Sequence, residues 1–162
     1  MEMGKHTNMK MAKDGKPYNK LIIMIVVSFI AMYVLMYAMV NSIANAIPNI
    51  NQFYMAGLMT AAMVIIEVAL MGTMYMNKKL NAIIITISSV TLLAFFLFIQ
   101  QQTGVSDKQF LKGMIPHHAA AILMSEQSNT KDPEIKKLQN DIISSQRKEI
   151  EQMKAKLKEL NK

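Results

Sequence analysis

Residues 80–99 read LNAIIITISSVTLLAFFLFI, an apolar run without a charged side chain. Two similar runs precede it: residues 21–43 carry no charge, and residues 54–76 carry only that of Glu67. Each run is close to the ~20 residues that a helix needs to cross a bilayer. The sequence therefore predicts a membrane domain at residues 21–101, with spans at about 21–43, 54–76 and 80–100. The remaining residues, from 103 to 162, are polar and charged and predict one small soluble domain.

The number of lysines in each segment outside the apolar runs predicts which side of the membrane that segment occupies. Residues 1–20 form a basic tail with five lysines, the loop at residues 44–53 has none, and Lys78 and Lys79 lie between the second and third runs. Because basic segments stay in the cytoplasm, we expect an inner (cytoplasmic) membrane protein with its N-terminus inside and its C-terminal domain in the periplasm or extracytoplasmic space. The tail is expected to be disordered. The first run is longer than the apolar core of a signal peptide and predicts a retained span, although Ala44–Ala46 resembles a cleavage site.

Residues 106–160 have the pattern of a helical hairpin. Ser106 and Gln109 predict a capping box, followed by a helix to about Ser128 that Pro116 interrupts and kinks. Asp132 and the proline after it open a second helix. Apolar residues recur on that helix at heptad spacing, interrupted by one glutamine: Ile143, Gln146, Ile150, Met153, Leu157 and Leu160. Two helices bury their apolar faces poorly, so we expect a homodimer in which two hairpins form a four-helix bundle.

Two of the three histidines of the chain lie on the first of these helices, next to methionines. Met114 and His118 are four residues apart and share a helix face, and His117 and Met124 are seven apart and do so too. Thioether sulfur and neutral imidazole favour Cu(I), or silver, over hard cations. Adjacent histidines point about 100° apart on a helix. Either the proline kink brings them together, or each serves a different ion, or one reaches a partner hairpin.

Other methionines are candidates for the same chemistry, since the chain has 17 of them and no cysteine. The tail has four possible accessory ligands: Met3, His6, Met9 and Met11. Within the spans, methionines fall on helix-face stripes, and Glu67 lies on the stripe Met55, Met59, Met63, Met71 and Met74. The stripes either fill gaps between helices or line a path for a soft cation. Glu67 is an intramembrane candidate that should face other helices, whether it is functional or merely protonated and hydrogen-bonded.

The distribution of charge and the absence of two enzyme motifs argue against several classes of function. The net charge of +7 comes from lysines spread along helix faces without interleaved aromatics, which indicates a surface near anionic lipid and not a nucleic-acid interface. No Glu-x-x-His and no His-Glu-x-x-His occurs, so di-iron and zinc-protease chemistry has no support. We expect a protein that is not an enzyme.

Several segments of the hairpin resemble the family catalogued as domain of unknown function 305, which includes CopM-like periplasmic copper-binding proteins. The matching segments are residues 107–110, 114–118, 121–124 and 142–153. The resemblance implies a ferritin-like fold, a link to copper resistance, and copper ligands at Met114, His117, His118, Met124 and Met153. It also matches Asp107, Gln146 and Glu149 as supporting residues. Many members carry two such hairpins, whereas this chain has one.

The leading hypothesis is a membrane-anchored protein that binds Cu(I) outside the inner membrane for copper tolerance or trafficking, with a copper efflux system as a possible partner. The alternative is a structural, membrane-anchored helical oligomerisation module that binds no metal.

Overall fold

The computed structural model describes the backbone of residues 3–72 and 74–162 and the side chains of residues 17–72 and 74–162. Within these residues the chain is all-α and contains no strand, which confirms the prediction of an all-helical protein. Five helices follow one another: α1 at Met3–Leu35, α2 at Ile50–Leu70, α3 at Lys78–Gln101, α4 at Asp107–Gln127 and α5 at Pro133–Leu160. Two short 3₁₀ helices, Met36–Met39 and Ile43–Asn45, connect α1 to α2.

In the part of the chain that the structure describes, three helical segments are long and apolar enough to cross a membrane: Pro17–Met39, Ile50–Leu70 and Lys78–Gln101. The second differs from the predicted span at 54–76, because α2 ends at Leu70 and the N–H of Met74 donates to the carbonyl of Met71. Apolarity continues past Leu70 and therefore does not mark the end of the helix. The backbone of residues 3–20 also differs from the predicted disordered tail, since α1 already begins at Met3.

The chain divides into two compact units. We call Met1–Tyr33 together with Tyr54–Gln101 the apolar unit, and Val34–Phe53 together with Gln102–Lys162 the hairpin unit. The hairpin unit is larger than the predicted soluble domain at 103–162, because it also contains the connection between α1 and α2.

The apolar unit has a core to which all three of its helices contribute. Leu21 of α1 packs with Val64 and Val68 of α2 and with Tyr75, and Ile84 and Ile85 of α3 pack against this cluster. Many other large apolar side chains on α1 and α3 are exposed, among them Ile23, Val27, Ile87, Val90 and Leu93. Such a surface is unfavourable in water and suits helices that face lipid.

Gly57 provides a close approach between α2 and α3. A Cβ atom at this position would overlap the ring of Phe95. Phe95 in turn lies 6.0 Å from the ring of Tyr54, measured between centroids. A small residue on one membrane helix thus admits a large side chain from its neighbour, as is common where helices pack in lipid.

The hairpin unit is held together by α4 and α5. Ile115, Ala119 and Ile122 of α4 form one buried cluster with Ile150 of α5, and Met153 and Leu157 pack against it. On the surface, Arg147 on α5 donates to Glu126 on α4 at 2.6 Å. Around Ile150, the apolar stripe predicted on α5 therefore packs against α4 of the same chain.

The predicted cap at the start of α5 is present in the structure, and the one predicted at the start of α4 is not. Asp132 caps α5 as predicted, since its side chain accepts hydrogen bonds from the backbone N–H groups of Glu134 and Ile135 at 2.8 and 3.2 Å. Ser106 precedes α4, but its side chain makes no capping bond. The side chain of Gln109, predicted to complete a capping box, instead accepts from the backbone N–H of Ile50 at 3.1 Å.

Candidate metal site on the helical hairpin

His118 is buried between the two helices of the hairpin, with only 9% of its surface exposed. Its Nδ1 atom lies 3.0 Å from a carboxylate oxygen of Glu149 on α5. The two atoms are within ion-pair distance but are not aligned as a hydrogen bond, so among the described residues Nδ1 has no hydrogen-bond partner. A buried nitrogen without a hydrogen-bond partner is uncommon in a folded protein.

Burial lowers the pKa of His118 below its ordinary value of 6.5, because the interior disfavours the charged imidazolium. The neighbouring His117 lowers that pKa further, and the carboxylate of Glu149 opposes both effects by raising it. At neutral pH His118 is therefore a neutral imidazole. That is the form in which histidine binds a metal ion.

His117 points away from this buried position. It is exposed, and its ring centroid lies 6.0 Å from that of His118, with the ring planes inclined by 59°. Pro116 is buried within α4, which continues without interruption from Asp107 to Gln127. The predicted interruption at Pro116 is therefore wrong, because one missing N–H donor leaves the remaining helical hydrogen bonds in place.

The methionines divide into two groups. Met114 is half-buried one helical turn before His118, and Met153 lies one turn after Glu149 and packs on the core of the hairpin. In an antiparallel hairpin, these offsets put Met114 and Met153 at a similar level. Met124 is 52% exposed and six residues beyond His118, about 9 Å further along the helix axis. It lines a different depression, between the ends of α4 and α5.

The remaining predicted positions lie in varied surroundings. Asp107 is the exposed first residue of α4, and Gln146 is half-buried on α5. Glu67 lies in the last turn of α2, where its carboxylate accepts a hydrogen bond from the Tyr75 hydroxyl at 3.3 Å. Tyr75 is a core residue of the apolar unit, so Glu67 is directed toward protein. The side chains of Met3, His6, Met9 and Met11 lie outside the described residues.

No three side chains of His, Asp or Glu within residues 17–72 and 74–162 are grouped closely enough to hold a metal ion. The donors near His118 are of a different kind: one buried imidazole, one carboxylate beside it, and thioethers one turn away. Of the five predicted ligands, Met114, His118 and Met153 therefore lie at neighbouring levels of the hairpin. His117 is exposed beside His118, and Met124 lies in a separate depression.

The connection between α1 and α2 belongs to the surroundings of this site, which sequence reasoning missed. Val40 and Ile47 pack against the core formed by Ile115, Ala119, Ile122 and Ile150, and both 3₁₀ helices contact α4. Asn49 and Asn51 lie over Gly113. The uncharged, asparagine-rich sequence of residues 41–51 indicates turns, and nothing in it indicates a packing partner.

The family relationship is clear from two comparisons. The family model for a domain of unknown function (DUF305) matches residues 66–157, more than half of the chain. The chain is also 42% identical over 113 residues to an uncharacterized protein of Acanthamoeba polyphaga mimivirus, an alignment that covers 68% of this chain and 72% of that relative. No solved structure matches. The chain therefore belongs to the DUF305 family, and the match includes most of the apolar segment from α2 onward as well as the hairpin.

The burial of His118 predicts that acid destabilises the hairpin unit. Because the folded chain lowers the pKa of His118, the unfolded chain takes up a proton at higher pH than the folded chain does. Stability should thus fall as the pH drops through about 6.5, the ordinary histidine value. We expect the urea midpoint of the full-length chain in detergent, followed by circular dichroism, to decrease from about pH 7.5 to about pH 5.5, on either side of that pKa.

Two substitutions test the origin of this decrease. His118→Asn removes the buried titrating group and should flatten the pH dependence, whereas His117→Asn, at the exposed neighbour, should reduce it only slightly, because His117 is the smallest of the causes that shift the pKa of His118. An unchanged slope in His118→Asn would contradict the assignment to His118.

Proposed function

We propose that this chain is a membrane-anchored binding protein for Cu(I), and for Ag(I), and that it is not an enzyme. The observation that carries the proposal is the buried, neutral His118, whose Nδ1 lies beside Glu149 without a hydrogen-bond partner, with Met114 one turn away. A carboxylate beside one ring nitrogen commonly orients a histidine so that its other nitrogen binds the metal. Glu149 lies 3.0 Å from Nδ1, and once the two groups align as a hydrogen bond, Nε2 is the nitrogen available to an ion.

The donor set suits a soft monovalent ion. Thioethers are neutral and need no deprotonation, and the lowered pKa of His118 favours its neutral imidazole form. Met114, His118 and Met153 would then hold the ion, with His117 as a ligand that arrives from the exposed side. The apolar core around Ile115 and Ile150 excludes water from the inner side of the site. Hard cations such as Mg²⁺ gain little from such donors.

Copper tolerance or trafficking is the physiological role that we propose. The three apolar helices would anchor the chain in the cytoplasmic membrane, with the hairpin on the periplasmic or extracytoplasmic side, and a copper efflux system would be the partner that receives the ion. The support for this role is the donor chemistry of the site and the resemblance to copper-binding members of the family.

A second candidate function, helical oligomerisation, is favoured by a separate surface. Met124, Ile135 and Leu138 are 52%, 47% and 58% exposed at the connection between α4 and α5. With Ala121 and Ile142 they line a shallow depression of about 340 Å³. A second copy that covers this depression would pair two hairpins and provide the four-helix bundle predicted from the sequence. Ile150, by contrast, is 6% exposed and belongs to the interior of the hairpin.

Metal binding is tested on the full-length chain in detergent, because a 103–162 fragment lacks Val40 and Ile47, which cover its core. We expect the double variant His117→Ala, His118→Ala to lose one Cu(I) equivalent in a competition titration with a Cu(I)-specific chelator. His118→Ala alone should weaken binding more than His117→Ala, because His118 is the oriented ligand. Glu149→Gln should weaken it by about 10–100-fold, as is usual when the group that orients a ligand is removed.

The two methionines of α4 supply a matched pair of variants. Met114→Leu should weaken Cu(I) binding, and Met124→Leu should leave it at the wild-type level, because Met124 lies in the separate depression. If the double histidine variant binds as many Cu(I) ions as wild type, the hairpin site is ruled out and the tail methionines become the next candidates.

Membrane orientation is tested with single cysteines, which the chain otherwise lacks. Ser128→Cys should react with an impermeant thiol reagent in cells whose outer membrane, if present, has been removed, because the hairpin is proposed to be outside. Lys79→Cys, between α2 and α3, should react only after the cytoplasmic membrane is opened. The reverse pattern would invert the topology.

Oligomerisation is tested by the mass of the detergent-solubilised protein, measured by light scattering after size exclusion. Wild type should have the mass of a dimer, and Leu138→Lys should have that of a monomer, since a charge on a buried apolar surface is costly. Glu151→Lys, exposed elsewhere on α5, is the control that should remain dimeric. A wild-type chain that is monomeric at high concentration contradicts the second candidate.

A further inference from the structure

The turn between α2 and α3 presents three methionines outside any helix. Met71, Met74 and Met76 are 38%, 46% and 75% exposed. The sequence pattern placed Met71 and Met74 on a helical stripe together with Glu67, but α2 ends at Leu70. Methionines that fill gaps between helices are buried. These three are exposed and belong to no helix, so gap filling does not account for them.

Backbone hydrogen bonds bring Met71 and Met74 together. The N–H of Met71 donates to the carbonyl of Glu67 at 2.8 Å, which completes the last turn of α2. The N–H of Met74 then donates to the carbonyl of Met71 at 2.9 Å. This hydrogen bond keeps the backbones of the two methionines next to each other. Two flexible thioether side chains can therefore share one ion at this turn.

Tyr75 holds the rest of the segment in place. Its side chain is buried, its hydroxyl donates to Glu67, and its carbonyl accepts from the Asn81 side chain at 2.7 Å. Its ring packs on that of Tyr18, with 5.3 Å between centroids, and Tyr18 donates to Asn81 at 2.7 Å. Tyr75 is directed inward, whereas its neighbours Met74 and Met76 are exposed. The three methionines thus belong to one short segment whose backbone is anchored by Tyr75.

The electrostatic surroundings accept a monovalent cation. The turn follows the C-terminus of α2, where unpaired carbonyls carry partial negative charge. Glu67 adds a carboxylate in the last turn of that helix. Lys78 and Lys79 at the start of α3 add opposing charge, which disfavours hard ions held by charge alone. Neutral sulfur donors remain, and these select soft ions such as Cu(I) and Ag(I).

We propose that Met71, Met74 and Met76 form a second soft-metal site, which binds Cu(I) or Ag(I) through thioethers only. The site uses no residue of the hairpin and stands independently of the function proposed above. It contains no group that must lose a proton, so it binds its ion in acid as well as at neutral pH. Under the proposed topology this site lies on the cytoplasmic face.

Oxidation footprinting with Ag(I) tests this site. The full-length double variant His117→Ala, His118→Ala in detergent is treated with dilute hydrogen peroxide, with and without Ag(I), and the sulfoxide at each methionine is measured by mass spectrometry. Because bound metal shields sulfur from oxidation, Ag(I) should slow sulfoxide formation at Met71, Met74 and Met76 together. Zn²⁺ should not. Removal of both histidines separates this result from any failure of the hairpin site.

A matched pair of variants completes the test. Met74→Leu, Met76→Leu should lose one Ag(I) equivalent and the protection of Met71. Met55→Leu, Met59→Leu removes two thioethers of similar exposure, 38% and 42%, from α2 and should keep both. Equal Ag(I) stoichiometry in the two variants overturns the proposal. Protection of the tail methionines without protection of Met71 also overturns it.

Discussion

The contact of Ile115, Ala119 and Ile122 with Ile150 determines the arrangement of the hairpin unit. These side chains are almost fully buried, and loss of one large aliphatic side chain from such a core typically costs about 2–5 kcal/mol. This contact fixes the register of α4 against α5, and that register places His118 opposite Glu149. The position of the candidate metal site therefore depends on ordinary apolar packing next to it.

His118 shows how the same packing changes the chemistry of a side chain. Burial lowers its pKa, and the neighbouring carboxylate only partly opposes this effect. The result is a neutral imidazole whose Nδ1 lies 3.0 Å from the carboxylate of Glu149. His117, one residue earlier, has the same covalent chemistry but is exposed. Identical neighbours in sequence thus acquire different properties because the helix turns one inward and the other outward.

The apolar unit has a polar cluster at one end, formed by Glu67, Tyr75, Tyr18 and Asn81. Each of these residues forms a hydrogen bond with another member of the cluster, so a carboxylate and two hydroxyls are accommodated next to an apolar core. The helical path of α2 ends at Leu70, and the ring of the buried Tyr75 then packs beside that of Tyr18. The exposed methionines lie in the segment around Tyr75.

The amino-acid sequence by itself determined the features that depend on local pattern. Three charge-free or nearly charge-free runs predict three apolar helices, the Asp132 cap with its following proline predicts the start of α5, and the methionine and histidine spacing on α4 predicts soft donors. Each of these follows from helix periodicity or from backbone chemistry within a few residues. The resemblance of residues 107–153 to the DUF305 family likewise depends on motifs that are visible along the chain.

Only the tertiary structure decided which of these donors come together. Three features depend on contacts between residues far apart in sequence: the packing of Val40 and Ile47 on α4, the hydrogen bond of Gln109 to Ile50, and the position of Glu149 beside His118. Periodicity specifies a helix face but not the element that covers it. The packing partner of a helix, and its register against that partner, are set by side-chain volumes and hydrogen bonds across the interface. The amino-acid sequence alone does not show these contacts.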